Sequence, residues 1–279
     1  MDAWKASLTR VHRVFGLPGL NVFAVMPDLM HVKWLGTDMY GYGSVLWLLC
    51  YRILGDDDPA KNCATVFGLL VEYWRDNQVS DRYSTIRPSM FCNQKKLPSS
   101  DTGAFPKLKG RAAEVKRLGP ALLFAWTRFM DAGSVVHHQV RLMIQKSCEF
   151  DELISASELR PKMPRRDAAK AKDLLFDYCG LYAALAMHFL SPWSGEVLKL
   201  FDVTIKQHYL LHFALTIEHW NPKLGWCFAG EDLMFHIKTL CAACCRGNGA
   251  GQVVGKMMVK YRHGMHFTFD KHGSFFAHQ

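Results

Sequence analysis

Residues 26–40 read Met-Pro-Asp-Leu-Met-His-Val-Lys-Trp-Leu-Gly-Thr-Asp-Met-Tyr, and they concentrate polar groups in an otherwise apolar part of the chain. Residues 20–25 before them predict a short strand, which Pro27 ends because proline has no N–H for a strand ladder. Asp28 and His31 are three residues apart, so one helical turn places both side chains on the same face. A carboxylate and an imidazole just beyond a strand are therefore the first candidate functional residues.

Two interpretations of Asp28 and His31 follow from this spacing. An oxygen ligand beside an imidazole suits metal-assisted or acid–base phosphoryl chemistry. The simpler interpretation is that Asp28 caps the start of a helix whose His31 faces the core. The spacing by itself favours the cap.

Length and composition indicate a folded chain and an intracellular setting. The 279 residues are 49% hydrophobic and 21% charged, which excludes wholesale disorder. Nine irregularly spaced cysteines and the lack of a basic-then-apolar leader favour a reducing compartment, nuclear or cytoplasmic, and not secretion. The apolar runs are short and interrupted, so no membrane span is predicted.

A formal net charge of +9 favours an anionic partner such as DNA. Two proline-punctuated segments carry much of this charge, and they suit mobile arms over a phosphate backbone, although basic loops are more often only solvated. The predicted nucleic-acid contacts are Lys95, Lys96, Lys107, Lys109, Arg111, Arg165, Arg166 and Lys170.

Helical periodicity dominates the rest of the chain. Residues 44–54 are apolar nearly all round and predict a buried central helix, and amphipathic patterns follow through most of the sequence. The short alternating runs 266–269 and 274–276 predict a terminal hairpin. The pattern therefore indicates eight or more helices with two or three short strands.

Three other groups are candidates for chemistry. Glu231 follows an extended aromatic segment at a helix start, where it serves either the helix dipole or a functional site. His208 and His212 have the i, i+4 spacing of zinc helices, but Tyr209 stands where a metalloprotease has glutamate. The cysteines at 241–245 lack a second pair at metal spacing, so buried thiols are favoured and zinc is not.

Residues 27–37 and 208–238 resemble, in the same order, two segments of the catalytic region of CACTA (En/Spm)-type DDE transposases. The first is similar to the family's Asp-x-x-His and Leu-Gly-Thr sequences. The second is similar to its histidine- and leucine-rich helix, tryptophan and Glu…Met…Lys sequence through His208, Trp226 and Glu231. The order and separation of the two segments strengthen the resemblance.

The resemblance implies an RNase H-like catalytic sheet, interrupted by a helical insertion and closed by a helix with the last metal-binding glutamate. Under it, Asp28, His31 and Glu231 are catalytic residues, and Asp28 and Glu231 are ligands for Mg²⁺ or Mn²⁺. Such sites need three carboxylates around two divalent ions that activate a water or a 3′-hydroxyl.

The expected fold is mainly α, a helical body with a small partial RNase H-like α/β remnant of two or three short strands. Residues 1–42 and 201–279 would form this remnant, and residues 43–200 would form the helical insertion. Irregular basic loops are expected near residues 80–110 and 160–166, where prolines interrupt the helical pattern.

One departure from the family limits the expected activity. Asp2 is the only carboxylate before Asp28 and lies on no predicted strand, so the upstream catalytic aspartate is missing. We therefore expect a truncated or decayed transposase-derived protein that binds DNA and is inactive alone. A second copy or a longer transposase chain would have to supply the missing aspartate. The alternative is a non-catalytic helical scaffold or interaction protein.

Overall fold

The computed structural model describes residues 27–93, 95–99, 103–191, 196–245, 247 and 249–272. One compact unit ends at Trp226, and a second begins at Cys227. The helices of the described residues are α1 (Asp38–Leu48), α2 (Pro59–Asp76), α3 (Ala112–Phe129), α4 (Val135–Ala156), α5 (Arg165–Leu190), α6 (Ile205–Thr216), α7 (Phe228–Cys245) and α8 (Ala250–His272), with π-helical segments Met30–Thr37 and Leu49–Ile53 and 3-10 turns Pro88–Met90 and Pro222–Gly225.

The described residues contain helices and irregular segments but no strand. The mainly α prediction is therefore confirmed, whereas the predicted RNase H-like α/β remnant of two or three strands is wrong for this part of the chain. Helix α8 runs through residues 266–269, because four alternating residues are too short a signal to interrupt a helix that is already formed. The other predicted strand residues, 20–25 and 274–276, lie outside the described residues.

The first unit is built on a buried helical rod, which we call the central helix: Met30–Thr37, α1 and Leu49–Ile53 in sequence. Every residue of α1 except Tyr40 is buried. A segment that is apolar on all sides has to be surrounded by other elements. The predicted central helix is therefore confirmed, and it starts well before the predicted position. The predicted domain boundary between residues 42 and 43 falls inside it.

The first part of the central helix has π-helical geometry. The backbone N–H of Asp38 donates to the carbonyl of Lys33, five residues back, and Gly36 forms a kink at φ −126° and ψ −105°. The kink leaves the Leu35 carbonyl available, and Lys206 Nζ donates to it at 2.8 Å. In a π-helix, residues five apart lie on the same face, unlike in an α-helix. Lys33 and Asp38 are thereby placed side by side.

Helices α2 to α6 surround the central helix in chain order. Each of them packs against the next, and the segment Met30–Thr37 contacts both α3 and α6. Large aromatic side chains fill the space between the layers. The fully or almost fully buried tryptophans are Trp34, Trp47, Trp74 and Trp126.

Helix α3 runs unbroken through Gly119 and Pro120, although glycine and proline ordinarily interrupt a helix. A Cβ on Gly119 would lie 2.7 Å from Tyr42 Oη and 3.0 Å from Cys148 Sγ, so glycine permits α3 to approach both neighbours closely. Burial along α3 outweighs the backbone hydrogen bond that Pro120 cannot donate.

In the second unit, α7 and α8 pack against each other. Among the described helices of both units, none combines the length and the apolar character that a membrane span requires.

Candidate nucleic-acid interface

Asp28 caps the start of the central helix. Its Oδ1 accepts the N–H of Met30 at 3.0 Å, its carbonyl accepts the N–H of Val32 at 3.0 Å, and its Oδ2 contacts His31 Nδ1. This is the geometry that the capping interpretation predicts. The side chain of His31 is 50% exposed, so the accompanying prediction that it faces the core is wrong.

The other predicted catalytic and metal residue, Glu231, lies on the backbone of α7 in the second unit. Its side chain is outside the described part of the chain. The predicted metal pair of Asp28 and Glu231 therefore stays a prediction.

The predicted zinc candidates form two separate pairs. His208 and His212 lie on α6 with their Nε2 atoms 2.9 Å apart, and Cys241 and Cys245 lie on α7 with their Sγ atoms 3.8 Å apart. Within the described residues, no group of three or more His, Cys, Asp or Glu side chains is arranged to hold a metal ion.

The first unit also contains a buried ionic network that was not predicted from the sequence. Lys33 is completely buried. Its Nζ lies 2.8 Å from Asp38 Oδ2, 2.7 Å from Ser147 Oγ and 2.9 Å from Asp151 Oδ1. The ammonium group therefore donates to Asp38 and Ser147 and forms an ion pair with Asp151. The pairing joins the central helix to α4.

Further donors complete this network. Tyr178 Oη donates to Asp38 Oδ1 at 2.8 Å, and Trp34 Nε1 donates to Asp151 Oδ2 at 3.0 Å. The two aspartates are thereby tied to three elements, the central helix, α4 and α5. We call Lys33, Asp38, Ser147, Asp151 and Tyr178 the buried network.

The charges of the buried network are not independent. Burial lowers the pKa of Lys33, but the Asp151 and Asp38 carboxylates outweigh it and raise this pKa above its usual value. Burial raises the pKa of Asp38 against the opposing effect of Lys33. The pKa of Asp38 is thus higher than that of an exposed aspartate, first because burial disfavours the charged carboxylate and second because the Asp151 carboxylate lies nearby. Lys33 and Asp38 are fully buried, so their role is to join elements of the fold.

The eight predicted nucleic-acid contacts are all at the surface. Lys95, Lys96, Lys107, Lys109 and Arg111 are exposed on the irregular segment between α2 and α3, and Arg165, Arg166 and Lys170 are exposed in the first turns of α5. The positive end of the α5 dipole adds to the potential of the second group.

The irregular segment before α3 is anchored to the core. Leu108 is fully buried, and its N–H donates to the Met39 carbonyl of the central helix at 2.9 Å. Lys107 N donates to the Phe91 carbonyl at 2.9 Å. Lys109 N donates to the Met90 carbonyl at 2.8 Å. The prediction of a mobile arm is therefore wrong at these residues.

This anchoring fixes the direction of the two lysines. Leu108 points into the core, so Lys107 and Lys109 on either side of it are exposed. Lys107 Nζ lies 5.1 Å from the centre of the Tyr40 ring, a cation–π distance that further restricts the side chain. We call Lys107, Leu108 and Lys109 the basic ridge.

Comparison with known proteins gives no match: no family model, no curated protein and no solved structure is significantly similar to the chain. The resemblance to DDE transposases accordingly rests on the motifs in residues 27–37 and 208–238.

Proposed function

We propose that this chain is a transposase-derived helical protein that binds DNA through the phosphate backbone, with the basic ridge as its main contact. The observation that carries the proposal is the alternation of exposed Lys107 and Lys109 with buried Leu108. Two cations held at fixed positions lose little side-chain and backbone freedom when they bind a phosphate backbone.

The position of the ridge also keeps its charge available. Burial and Lys107 lower the pKa of neighbouring Lys206, which donates to the Leu35 carbonyl. Lys206 is therefore held against the fold, and Lys107 is the cation of the two that faces outward. The repulsion between neighbouring positive groups decreases when an anion binds, which favours phosphate binding.

Strand transfer is not part of the proposal. The resemblance implies that the two-metal site is held on an RNase H-like sheet, and the described residues form helices instead. Asp28 already accepts the N–H of Met30 and contacts His31, which gives its carboxylate a structural role.

The test is fluorescence anisotropy of a labelled DNA duplex titrated with protein over a series of salt concentrations. Each phosphate contact contributes a slope of about −0.9 to the plot of log K against log salt. We expect the double variant Lys107→Gln, Lys109→Gln to bind more weakly. The magnitude of its slope should be smaller by the contribution of about two phosphate contacts.

Lys61→Gln is the matched control, because Lys61 is exposed on α2 and is paired with Asp56 at 3.5 Å. We expect this variant to bind duplex DNA like the unmodified protein. Absence of binding at low salt, or binding without a salt slope, would overturn the proposal and favour the helical scaffold. An equal loss in the control variant would show that the basic ridge is not the contact.

A further inference from the structure

We infer that the open pocket between the end of α2 and the start of α3 binds a phosphate monoester, and that a terminal 5′-phosphate of DNA is its occupant. The inference rests on the proposed function, because it names the chemical group of the DNA that this pocket would hold. The pocket has a volume of about 620 Å³ and is lined by Arg75, Arg82 and Arg111 among polar residues.

Two helix ends and the segment between them bring the three arginines together. Arg75 lies in the last turn of α2, and Arg111 is the residue that precedes the first turn of α3. Arg82 lies in the irregular segment that joins the two helices. Because α2 and α3 pack against each other, the end of one helix meets the start of the next along the chain.

The charges of the pocket favour an anion. Its lining carries three guanidinium groups against one carboxylate, that of Asp81. Arg75 Nε lies 2.9 Å from Asp76, and Arg111 Nη2 lies 3.1 Å from Glu114, but both arginine side chains are more than 70% exposed. Exposed pairs of this kind contribute at most about 1 kcal/mol, so a phosphate can compete for the guanidinium groups.

Arg82 is the arginine most suited to the ligand. It is exposed on the pocket wall, and no ion pair holds it among the described residues. The side chains of Gln78 and Ser80 also line the pocket and add neutral hydrogen-bond donors. A guanidinium fork with neighbouring neutral donors matches the several oxygens of a phosphate.

The backbone around the pocket is held in an uncommon conformation. Gln78 and Asp81 both have φ of 51°, although neither is glycine. The turn is fixed because Val79 N donates to the Trp74 carbonyl at 2.9 Å and Gln78 N donates to the Arg75 carbonyl at 3.2 Å. Such residues concentrate at binding sites, where the fold maintains a less favourable conformation. Here they lie in the turn that brings Ser80, Asp81 and Arg82 to the same pocket as Arg75 and Arg111.

The charge of the pocket favours a terminal phosphate over a phosphodiester, because its lining carries three arginines and one aspartate. A monoester carries a charge of about −1.5 to −2 near neutral pH and presents three oxygens. A phosphodiester within a duplex carries one charge and is flanked by sugars on both sides, so it fits an exposed ridge better than a pocket.

The test compares two duplexes of identical sequence, one with 5′-phosphates and one with 5′-hydroxyls, both labelled at a 3′ end. By fluorescence anisotropy, we expect the unmodified protein to prefer the phosphorylated duplex about tenfold, the change expected for one charge-assisted hydrogen bond. Arg82→Gln should abolish this preference. Arg87→Gln is the control, since Arg87 is exposed on the same segment and does not line the pocket.

Equal affinity of the unmodified protein for both duplexes would overturn the inference, as would a preference that survives in Arg82→Gln or is lost in Arg87→Gln. A parallel thermal-unfolding titration with inorganic phosphate separates this inference from the proposed function. Stabilisation by phosphate that Arg82→Gln loses, without any binding of either duplex, would support an anion site at the pocket but overturn both DNA binding and a DNA 5′-phosphate as the occupant. Duplex binding that is insensitive to the terminal phosphate would support DNA binding and overturn the inference.

Discussion

Lys33 in the buried network and Lys107 in the basic ridge are the same residue type in opposite settings. Lys33 is fully buried and faces Asp38 and Asp151, whereas Lys107 is exposed over the ring of Tyr40. The first lysine is neutralised inside the protein and can attract no ligand, and the second is available to one. A net charge of +9 therefore states by how many the cations of the chain exceed its anions, but not which cations a partner can reach.

Removing the buried cation is expected to have the largest effect. Lys33→Met leaves the two carboxylates of Asp38 and Asp151 buried without their cation, so we expect a loss of about 3–5 kcal/mol in the free energy of unfolding. Guanidinium denaturation followed by circular dichroism measures it. Lys107→Met is the control, with an expected change within about 0.5 kcal/mol. Equal changes in the two variants would remove the distinction between the two lysines.

The next effect concerns the anchor of the basic ridge. Leu108→Ala opens a cavity under the ridge, and we expect a loss of about 2–3 kcal/mol because the side chain is fully buried. Under conditions where the variant remains folded, its affinity for duplex DNA should also fall, since Lys107 and Lys109 would no longer be held in place. Unchanged affinity in a destabilised variant would show that the anchoring does not matter for binding.

The smallest effect is expected at Asp28, which belongs neither to the buried network nor to the basic ridge. Asp28→Ala should cost about 1 kcal/mol, because the Met30 N–H loses its cap. We expect no change of Tm on addition of Mn²⁺ to the unmodified protein, measured by differential scanning calorimetry. A rise of Tm with Mn²⁺ that both Asp28→Ala and Glu231→Ala abolish would instead support a metal site at these residues.

The sequence predicts the helical body and the buried central helix, because an apolar segment on all sides has only one favourable environment. It also predicts that Lys107 and Lys109 are exposed. The hairpin at residues 266–269 is a wrong prediction, since a short alternating run cannot be distinguished from part of a longer helix. The anchoring of Leu108 depends on long-range contacts that no local pattern records.

The buried network was missed for a specific geometric reason. Lys33 and Asp38 are five residues apart, and in an α-helix that spacing points two side chains away from each other. Only the π-helical segment Met30–Thr37 places them together. A lysine and an aspartate within an apolar, glycine-containing stretch are the signal that could have indicated it. The third member, Asp151, is far along the chain and carries no local signal.

The π-helical segment also makes this part of the chain sensitive to its length. Loss of one residue between Lys33 and Asp38 would allow a regular α-helix to form, which is the more stable local geometry. Lys33 and Asp38 would then be four residues apart, a spacing that an α-helix also places on one face, so their contact could form in either geometry. Insertion of one residue would instead place them six apart, which leaves the two side chains on different faces and turns the carboxylate away from its cation, so it would be more damaging than most substitutions.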